Sequence, residues 1–422
     1  MTVRKTLNSG FVIVCAALAV AVGSAAELSA DGTVVVDDAL PAGNIVVEEI
    51  KDGCVRLRPD LRGSSPWFYW AFRVRGASGR TLRFEFTDKD PGGPVGVRGP
   101  VVSTDAGRSF SYPLDGRSSP KGFVYTFGPD ENDVRFYECH PYVRADWDRF
   151  TAKHGKELGR RMRLGTLCRS RSGADVPVAR FGCVGEGKTP EHRFFLCARN
   201  HASETMASWV LEGAAEAFLS DDDLGNWLAG NVELMAVPFI DYDGVQAGDQ
   251  GKNRLPHDHN RDYAAFIYPE TKALTEWIFS HAGGRLYAFI DLHCPWIRGK
   301  YNEFVYSPLK PFKTKADEES DARFAEILER VQTGGLRYKA SNDLPFGKAW
   351  NTGSNYRQGL SCAQWARKSL KDLKICRTFE IPFANADGAA VTPEKCRAFG
   401  RDIIKALSET MPKRYAPPLP RP

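Results

Sequence analysis

In the run RFFLCARNHASETMASW, residues 193 to 209, a stretch of large apolar side chains empties into a histidine, two small residues and a glutamate. His201 and Glu204 stand three apart, a spacing that at the start of a helix brings an imidazole and a carboxylate to one side, where they can share a metal ion. Ser203 between them is a candidate helix cap. A catalytic zinc ion needs a third protein ligand and an open position for water, and two histidines with one glutamate are a recognised set. His293 offers itself as the third, because it closes another apolar run, LYAFIDLH. Asp291, two residues earlier, stands where it can steady that ligand. Hydrolysis also needs a base for the water proton. Glu380 ends the apolar run ICRTFE, and a carboxylate there carries a desolvation cost unless it faces a cleft.

Other places offer similar residue types. His154 and Glu157 repeat the spacing in TAKHGKELGRR, a charge-dense stretch where the pair reads as a solvated helix contact. His257 and His259 alternate with Asp258 in LPHDHNRDY and can hold a metal, but nothing apolar leads into them and a turn-rich surface loop explains them equally well. No Cys-x-x-Cys occurs, which argues against a thiolate zinc site of the finger or ribbon kind.

The candidate ligands lie at the ends of apolar segments, and those segments are the elements that must position them. Strands are expected at about 193–199, 232–237, 285–292 and 375–381, alternating with helices at about 204–219, 269–281, 316–332 and 393–410. That alternation is the signature of an α/β layer, and open α/β sheets place their ligand crevices at the carboxyl ends of strands. Before it, from about 32 to 140, the short runs TVVVD, NIVVEEI, WFYWAFRVRG, RTLRFEFT, GFVYTF and DVRFYECH are separated by turn-rich pieces, the pattern of an antiparallel β-sandwich. The expected fold is α/β, a mixed open sheet with flanking helices, preceded by that sandwich. Residues 1–26 read as a signal peptide, 27–145 as the sandwich, 146–412 as the catalytic part and 413–422 as a proline-rich tail.

The bulk numbers agree with a two-domain globular protein: 422 residues, 42% hydrophobic and 11% aromatic. A net charge of +5 without long like-charge blocks argues against nucleic acid as a partner. Arg4 and Lys5, then FVIVCAALAVAV, then GSAAE give the three parts of a secretory leader, with cleavage expected near Ala25 or Ala26. Its apolar run falls short of the roughly 20 residues a membrane span needs, so no stable span is expected after signal removal, and the product is expected in the periplasm or secreted. Removing the leader takes Cys15 and leaves an odd number of cysteines, so they cannot all pair within one chain.

Taken together, HASETMASWVLEG, FIDLH and RTFEIPFA, in this order and with these separations, resemble the zinc carboxypeptidases of the M14 (carboxypeptidase A) family over about residues 145 to 410. The preceding YTFGPDENDVRFYECHPY resembles the extra β-sandwich of the cytosolic-carboxypeptidase-like branch. The resemblance implies that His201, Glu204 and His293 bind one zinc ion (Zn2+) and that Glu380 is general base and proton shuttle. It places Arg254, in GKNR, where the family has an oxyanion-stabilising arginine. Asn260 and Arg261 fall at the pair that grips a terminal carboxylate, a task suited to the planar fork of arginine. NYRQGLSCAQW is similar to the mobile tyrosine loop, with Tyr356 nine residues before Trp365. The chain departs from the pattern at Gln364, where an aspartate is usual, at Cys294–Pro295 after the zinc histidine, and in the longer gap from Trp365 to Glu380. Ala363 falls near the floor of the specificity pocket, where it offers no partner for a charged side chain.

The expected activity is a zinc-dependent metallocarboxypeptidase hydrolysing the C-terminal peptide bond of peptides or proteins. Two alternatives remain: a zinc-dependent N-acyl-amino-acid deacylase, which shares the metal set and an Asn-Arg clamp, and a non-catalytic binding member of the fold. The sandwich and Tyr356 favour the peptidase over the first, and Glu380 beside all three ligands argues against the second.

Overall fold

The structure, a computed structural model, describes residues 33–412 other than 66, 90, 91, 312 and 313. The expected leader and the proline-rich tail lie outside the described residues. The N-terminal part contains β1 (Val35–Asp37), β2 (Val46–Lys51), β3 (Cys54–Arg58), β4 (Ala71–Arg75), β5 (Thr81–Phe86), β6 (Val101–Ser103), β7 (Gly122–Thr126) and β8 (Asp133–Tyr137). They form two four-stranded sheets, ordered β1-β4-β8-β6 and β2-β3-β5-β7. All pairs are antiparallel except β3 with β5. Period-two alternation explains the packing. Along β5, Leu82, Phe84 and Phe86 are buried while Thr81 and Arg83 are exposed. They meet Phe72 and Phe136 from the opposite sheet, with the Phe72 and Phe136 rings 5.2 Å apart and Phe84 and Phe136 5.3 Å apart.

After α1 (Arg144–Lys153) the catalytic part begins with β9 (Met162–Arg169), β10 (Asp175–Gly182) and β11 (His192–Ala198). It continues through α2 (Thr205–Leu219), α3 (Asp223–Asn231), β12 (Val232–Val237), α4 (Tyr242–Ala247), α5 (Pro269–Ala282) and β13 (Ala288–His293). The remaining elements are α6 (Lys315–Val331), α7 (Cys362–Ser369), β14 (Ile375–Glu380), the short pair β15 (Asn385–Ala386) and β16 (Ala389–Ala390), and α8 (Pro393–Thr410). The six-stranded sheet has the order β14-β13-β11-β12-β10-β9. Its first four strands run parallel, and β10 and β9 are antiparallel.

Central parallel strands are covered on both faces, and β12 and β13 are accordingly buried at every position. Alternate residues of β11 separate into two cores. Phe194, Leu196 and Ala198 pack with α2, α6 and α8, whereas Phe195 and Cys197 pack with α5 and α7. The described residues from Val34 onward form one compact unit, and no helix among the described residues is long and apolar enough to cross a membrane.

The four expected strands and four expected helices of the catalytic part form, with β13 starting at Ala288 rather than 285. Strands β9, β10, β15 and β16 and helices α1, α3, α4 and α7 are additional. Pro177 interrupts the strand signal of β10, and the structure accommodates it at a register irregularity between Val176 and Pro177. His154 and Glu157 do not form the solvated helix contact expected of them. His154 follows α1 and faces Glu216 at 3.7 Å, while Glu157 is buried with Arg160 and Arg161 at 3.7 and 3.9 Å.

Candidate metal centre and active site

Strands β11, β13 and β14 are parallel neighbours, so their carboxyl ends open on one edge of the sheet, and His201, His293 and Glu380 all stand on that edge. Beyond β11 the chain turns sharply. Arg199 adopts a left-handed backbone conformation, φ 63°, which for a residue with a side chain costs on the order of 1–3 kcal/mol. Its buried guanidinium secures the turn by donating to the Ala202 carbonyl at 2.8 Å, the Tyr142 carbonyl at 2.8 Å and the Ser208 hydroxyl at 3.2 Å. The next residues present His201 and then Glu204, which occupies the N-cap position of α2. Ser203 is not the cap; its hydroxyl donates to the Gln250 carbonyl.

The Glu204 carboxylate lies between two imidazoles, with Oε1 2.7 Å from His201 Nδ1 and Oε2 2.8 Å from His293 Nδ1. The three residues are buried, and each offers a ligand atom within 4.8 Å of the others. Each imidazole is oriented from behind. His201 Nε2 is 3.2 Å from Asp258 Oδ1, and His293 Nε2 is 3.1 Å from Asp291 Oδ1. Carboxylates placed in this way fix the ring and leave the other nitrogen for a metal. Burial opposes ionisation of Glu204, but the two imidazoles outweigh it and hold its carboxyl at about 2. Two Nδ1 atoms and a charged carboxylate, converging with their outer contacts satisfied, fit zinc by donor type and number.

A second buried group, Cys197, Asp291 and Cys362, has its donor atoms equally close. Its chemistry is different: burial pushes the Cys197 thiol well up, and Asp291 Oδ1 already meets His293 and accepts from Asn200 at 2.9 Å. We read this group as support behind His293.

A cavity of about 250 Å³ opens over the first group and is lined by His201, Glu204 and His293 together with Glu380, Asn260, Arg261 and Tyr356. Seven of the eight residues singled out in the sequence are thus brought together. Burial, reinforced by the Glu204 charge and only partly offset by the imidazoles, pushes the Glu380 carboxyl up to about 7, in the range suited to a general base. Arg261 donates from Nε to the Asn355 carbonyl at 2.9 Å and from Nη1 to the Asn260 carbonyl at 2.6 Å. Its Nη2 has no partner among the described residues. The Asn260 amide accepts from Cys362 N–H at 3.0 Å and lies 3.1 Å from His293 Nε2. The Tyr356 ring lies under both Arg261, at 4.9 Å, and Lys310, at 3.7 Å.

Arg254 is the exception. It does not line the cavity; its Nε is 2.6 Å from Asp249 and its Nη1 3.5 Å from Asp241. The oxyanion role expected of it does not fit this placement, because two carboxylates already hold the guanidinium. The alternating histidines of LPHDHNRDY divide as well. His259 stacks on Tyr268 at 3.5 Å, with burial pushing its ring down to about 3, and His257 Nε2 faces the Arg261 carbonyl at 3.2 Å. The residue between them, Asp258, is the one that reaches the metal cluster.

Two cavity cations were not singled out in the sequence, Lys252 and Lys310. Neither follows an apolar strand, the feature that marks the ligands in the sequence. Ala363, expected at the pocket floor, is buried in the core shared by α5 and α7 and does not line the cavity. The sandwich contributes directly. The segment before β4 supplies Trp67 to the cavity wall, edge-on to Trp296 at 4.6 Å. Gln250 exchanges hydrogen bonds with the Tyr69 backbone, both at 2.8 Å, which ties the 248–254 loop to the sandwich.

No family model matches the chain. It is similar to cytosolic carboxypeptidase 2 of Xenopus tropicalis, 27% identical over 160 residues that cover 36% of this chain and 16% of that protein. It is also similar to the uncharacterized protein ZMO1242 of Zymomonas mobilis, 28% identical over 395 residues, 89% of this chain and 96% of that one. The chain therefore spans well under a fifth of the first relative's length. Among solved structures it matches a metallo-carboxypeptidase from Burkholderia cenocepacia with a TM-score of 0.70 at 20% identity, covering 89% of this chain and 97% of that one. The fold is that of the M14 zinc carboxypeptidases, with a β-rich part at its N-terminal side.

Proposed function

We propose that this chain is a zinc-dependent metallocarboxypeptidase that removes the last residue of peptides or proteins, and that it favours a last residue with an acidic side chain. The observation that carries the reading is the convergence of His201, Glu204 and His293 at the base of a cavity that also holds Glu380 and Arg261. A zinc ion held by the first three supplies Lewis acidity toward a peptide carbonyl and toward water. Glu380 takes the proton of the attacking water and returns it to the departing amine. Arg261, braced by two backbone carbonyls, offers its remaining guanidinium edge to the terminal carboxylate of the substrate. Trp67, Trp296 and Trp350 wall the cavity with apolar surface, which strengthens these charge contacts by excluding water.

Lys310 supports the acidic preference. Its side chain is buried and, among the described residues, bonded only to neutral groups, Asn351 Oδ1 at 3.0 Å and the Tyr356 hydroxyl. Burial, with Arg261 nearby, pushes its ammonium down to about 7. A carboxylate from the substrate side chain restores the missing counter-charge. Export through a leader in residues 1–26 is part of the same proposal, and N-terminal sequencing of the mature protein tests it.

The test is to incubate the purified protein with peptides randomised at the last position, with and without a chelator, and to identify the amino acids released. Release of single residues, glutamate and aspartate foremost, that stops with the chelator is the expected result. Release from N-acyl amino acids but not from peptides supports the deacylase alternative.

A further inference from the structure

The carboxypeptidase reading leaves one requirement without a residue: a positive group for the carbonyl oxygen as it becomes an oxyanion. Arg254 cannot meet it while its guanidinium is held between Asp249 and Asp241. Resting on that reading, we infer that Lys252, two residues earlier, places its ammonium against the developing oxyanion.

The backbone explains how Lys252 reaches the site. Gly251 has φ +97°, and a Cβ there would lie 2.5 Å from Ala202 N and 2.8 Å from the carbonyl carbon of His201. Only glycine lets the loop press against the turn that carries two of the metal-cluster residues. The next side chain, that of Lys252, lines the same cavity as His201, Glu204 and Glu380. The Gln250 contacts with Tyr69 and the Ser203 contact with the Gln250 carbonyl hold the loop from both sides.

The charge of Lys252 is also uncommitted. Among the described residues no carboxylate lies within ion-pair distance of its ammonium and no group accepts a hydrogen bond from it; the Trp67 ring lies 5.9 Å from it. Burial pushes it below the ordinary lysine range. A partly buried cation without a counter-ion is costly unless an anion arrives. The other two cavity cations are accounted for, Arg261 by the terminal carboxylate and Lys310 by the substrate side chain. The group still to arrive, the oxyanion, exists only at the transition state. A preorganised donor there stabilises the reaction rather than the bound substrate.

The test compares wild type, Lys252→Met, Lys252→Arg and Arg254→Lys by kcat, KM, zinc content and calorimetric affinity for two ligands. One is a peptide phosphonate that mimics the tetrahedral anion, and the other is the product amino acid. Lys252→Met is expected to keep zinc and to lose about a hundredfold or more in kcat, the scale for one oxyanion donor. Its KM and product affinity should stay near the wild-type values, and its phosphonate affinity should fall in step with kcat. Lys252→Arg should recover part of both losses, and Arg254→Lys should behave as wild type. A Lys252→Met enzyme with near-normal kcat or unchanged phosphonate affinity overturns the assignment, as does an Arg254→Lys enzyme that loses as much. A wild type that releases no terminal residue overturns the peptidase reading and this assignment with it, whereas failure in the variants of an active wild type overturns this assignment alone.

Discussion

His293 and Glu380 occupy the same rung of the sheet, paired across the last residues of β13 and β14. Parallel neighbours in register point corresponding side chains to the same face, so the proposed metal ligand and the proposed base are fixed against each other by backbone pairing rather than by a loop. Glu380→Gln keeps the shape and removes the basic carboxylate. It should retain zinc by elemental analysis and lose about a hundredfold or more in turnover. Near-normal turnover with zinc bound would sink the assignment.

The metal cluster should respond in two grades. His201→Ala should lose zinc outright. Asp258→Asn, which alters the carboxylate behind His201 Nε2 that also accepts from the Asn260 N–H, should weaken zinc affinity about 10–100-fold. His154→Ala should leave metal content unchanged. Competition with a chromogenic chelator measures all three, and a metal requirement at His154 in place of His201 contradicts the reading.

How far these residues were legible depends on what announced them. His201, His293 and Glu380 each end an apolar run, and strand ends at a sheet edge are visible in hydrophobic pattern alone. Asp258 sat in a polar loop between two histidines that drew attention by type, and only the folded loop shows that the aspartate, not its neighbours, reaches the cluster. Arg254 and Lys252 are two residues apart in one short loop, and their fates were decided by the carboxylates at 241 and 249 and by a backbone contact at Gly251. Sequence spacing carries no trace of either. Lys310 illustrates the same limit, since a lysine between prolines reads as surface until a cavity closes around it.

Substitution of Lys310 tests the specificity argument. Lys310→Met removes one partner of a proposed buried pair, typically worth about 2–5 kcal/mol. The efficiency on peptides ending in glutamate should fall about thirtyfold or more at about 1.4 kcal/mol per factor of ten, while peptides ending in leucine should be little affected. Equal losses on both would show that Lys310 holds the pocket together without reading the side chain.

A pH dependence of stability follows from Glu138, which is completely buried beside the Cys139 thiol and has its carboxyl pushed up to about 8 by burial. The folded value lies above the ordinary glutamate value of 4.5. Its contribution is therefore fully present below about 4.5 and is lost as pH rises toward about 8. Glu138→Gln, neutral at every pH, should melt about 3 °C or more above wild type at pH 9, with the gain vanishing at pH 4. Parallel melting curves for the two proteins across that range would contradict the burial argument.

The central claim, that a terminal carboxylate is gripped by Arg261 while the bond behind it is cut, is tested most directly with peptide pairs identical except for a C-terminal acid or amide. The zinc-loaded protein is incubated with each, and products are followed by mass. The acid peptide should lose its last residue and the amide should remain nearly intact. Arg261→Ala should lower the efficiency on the acid about thirtyfold or more, with little further effect on the amide. Equal cleavage of acid and amide by the wild type, or cleavage at an internal bond, would contradict the account.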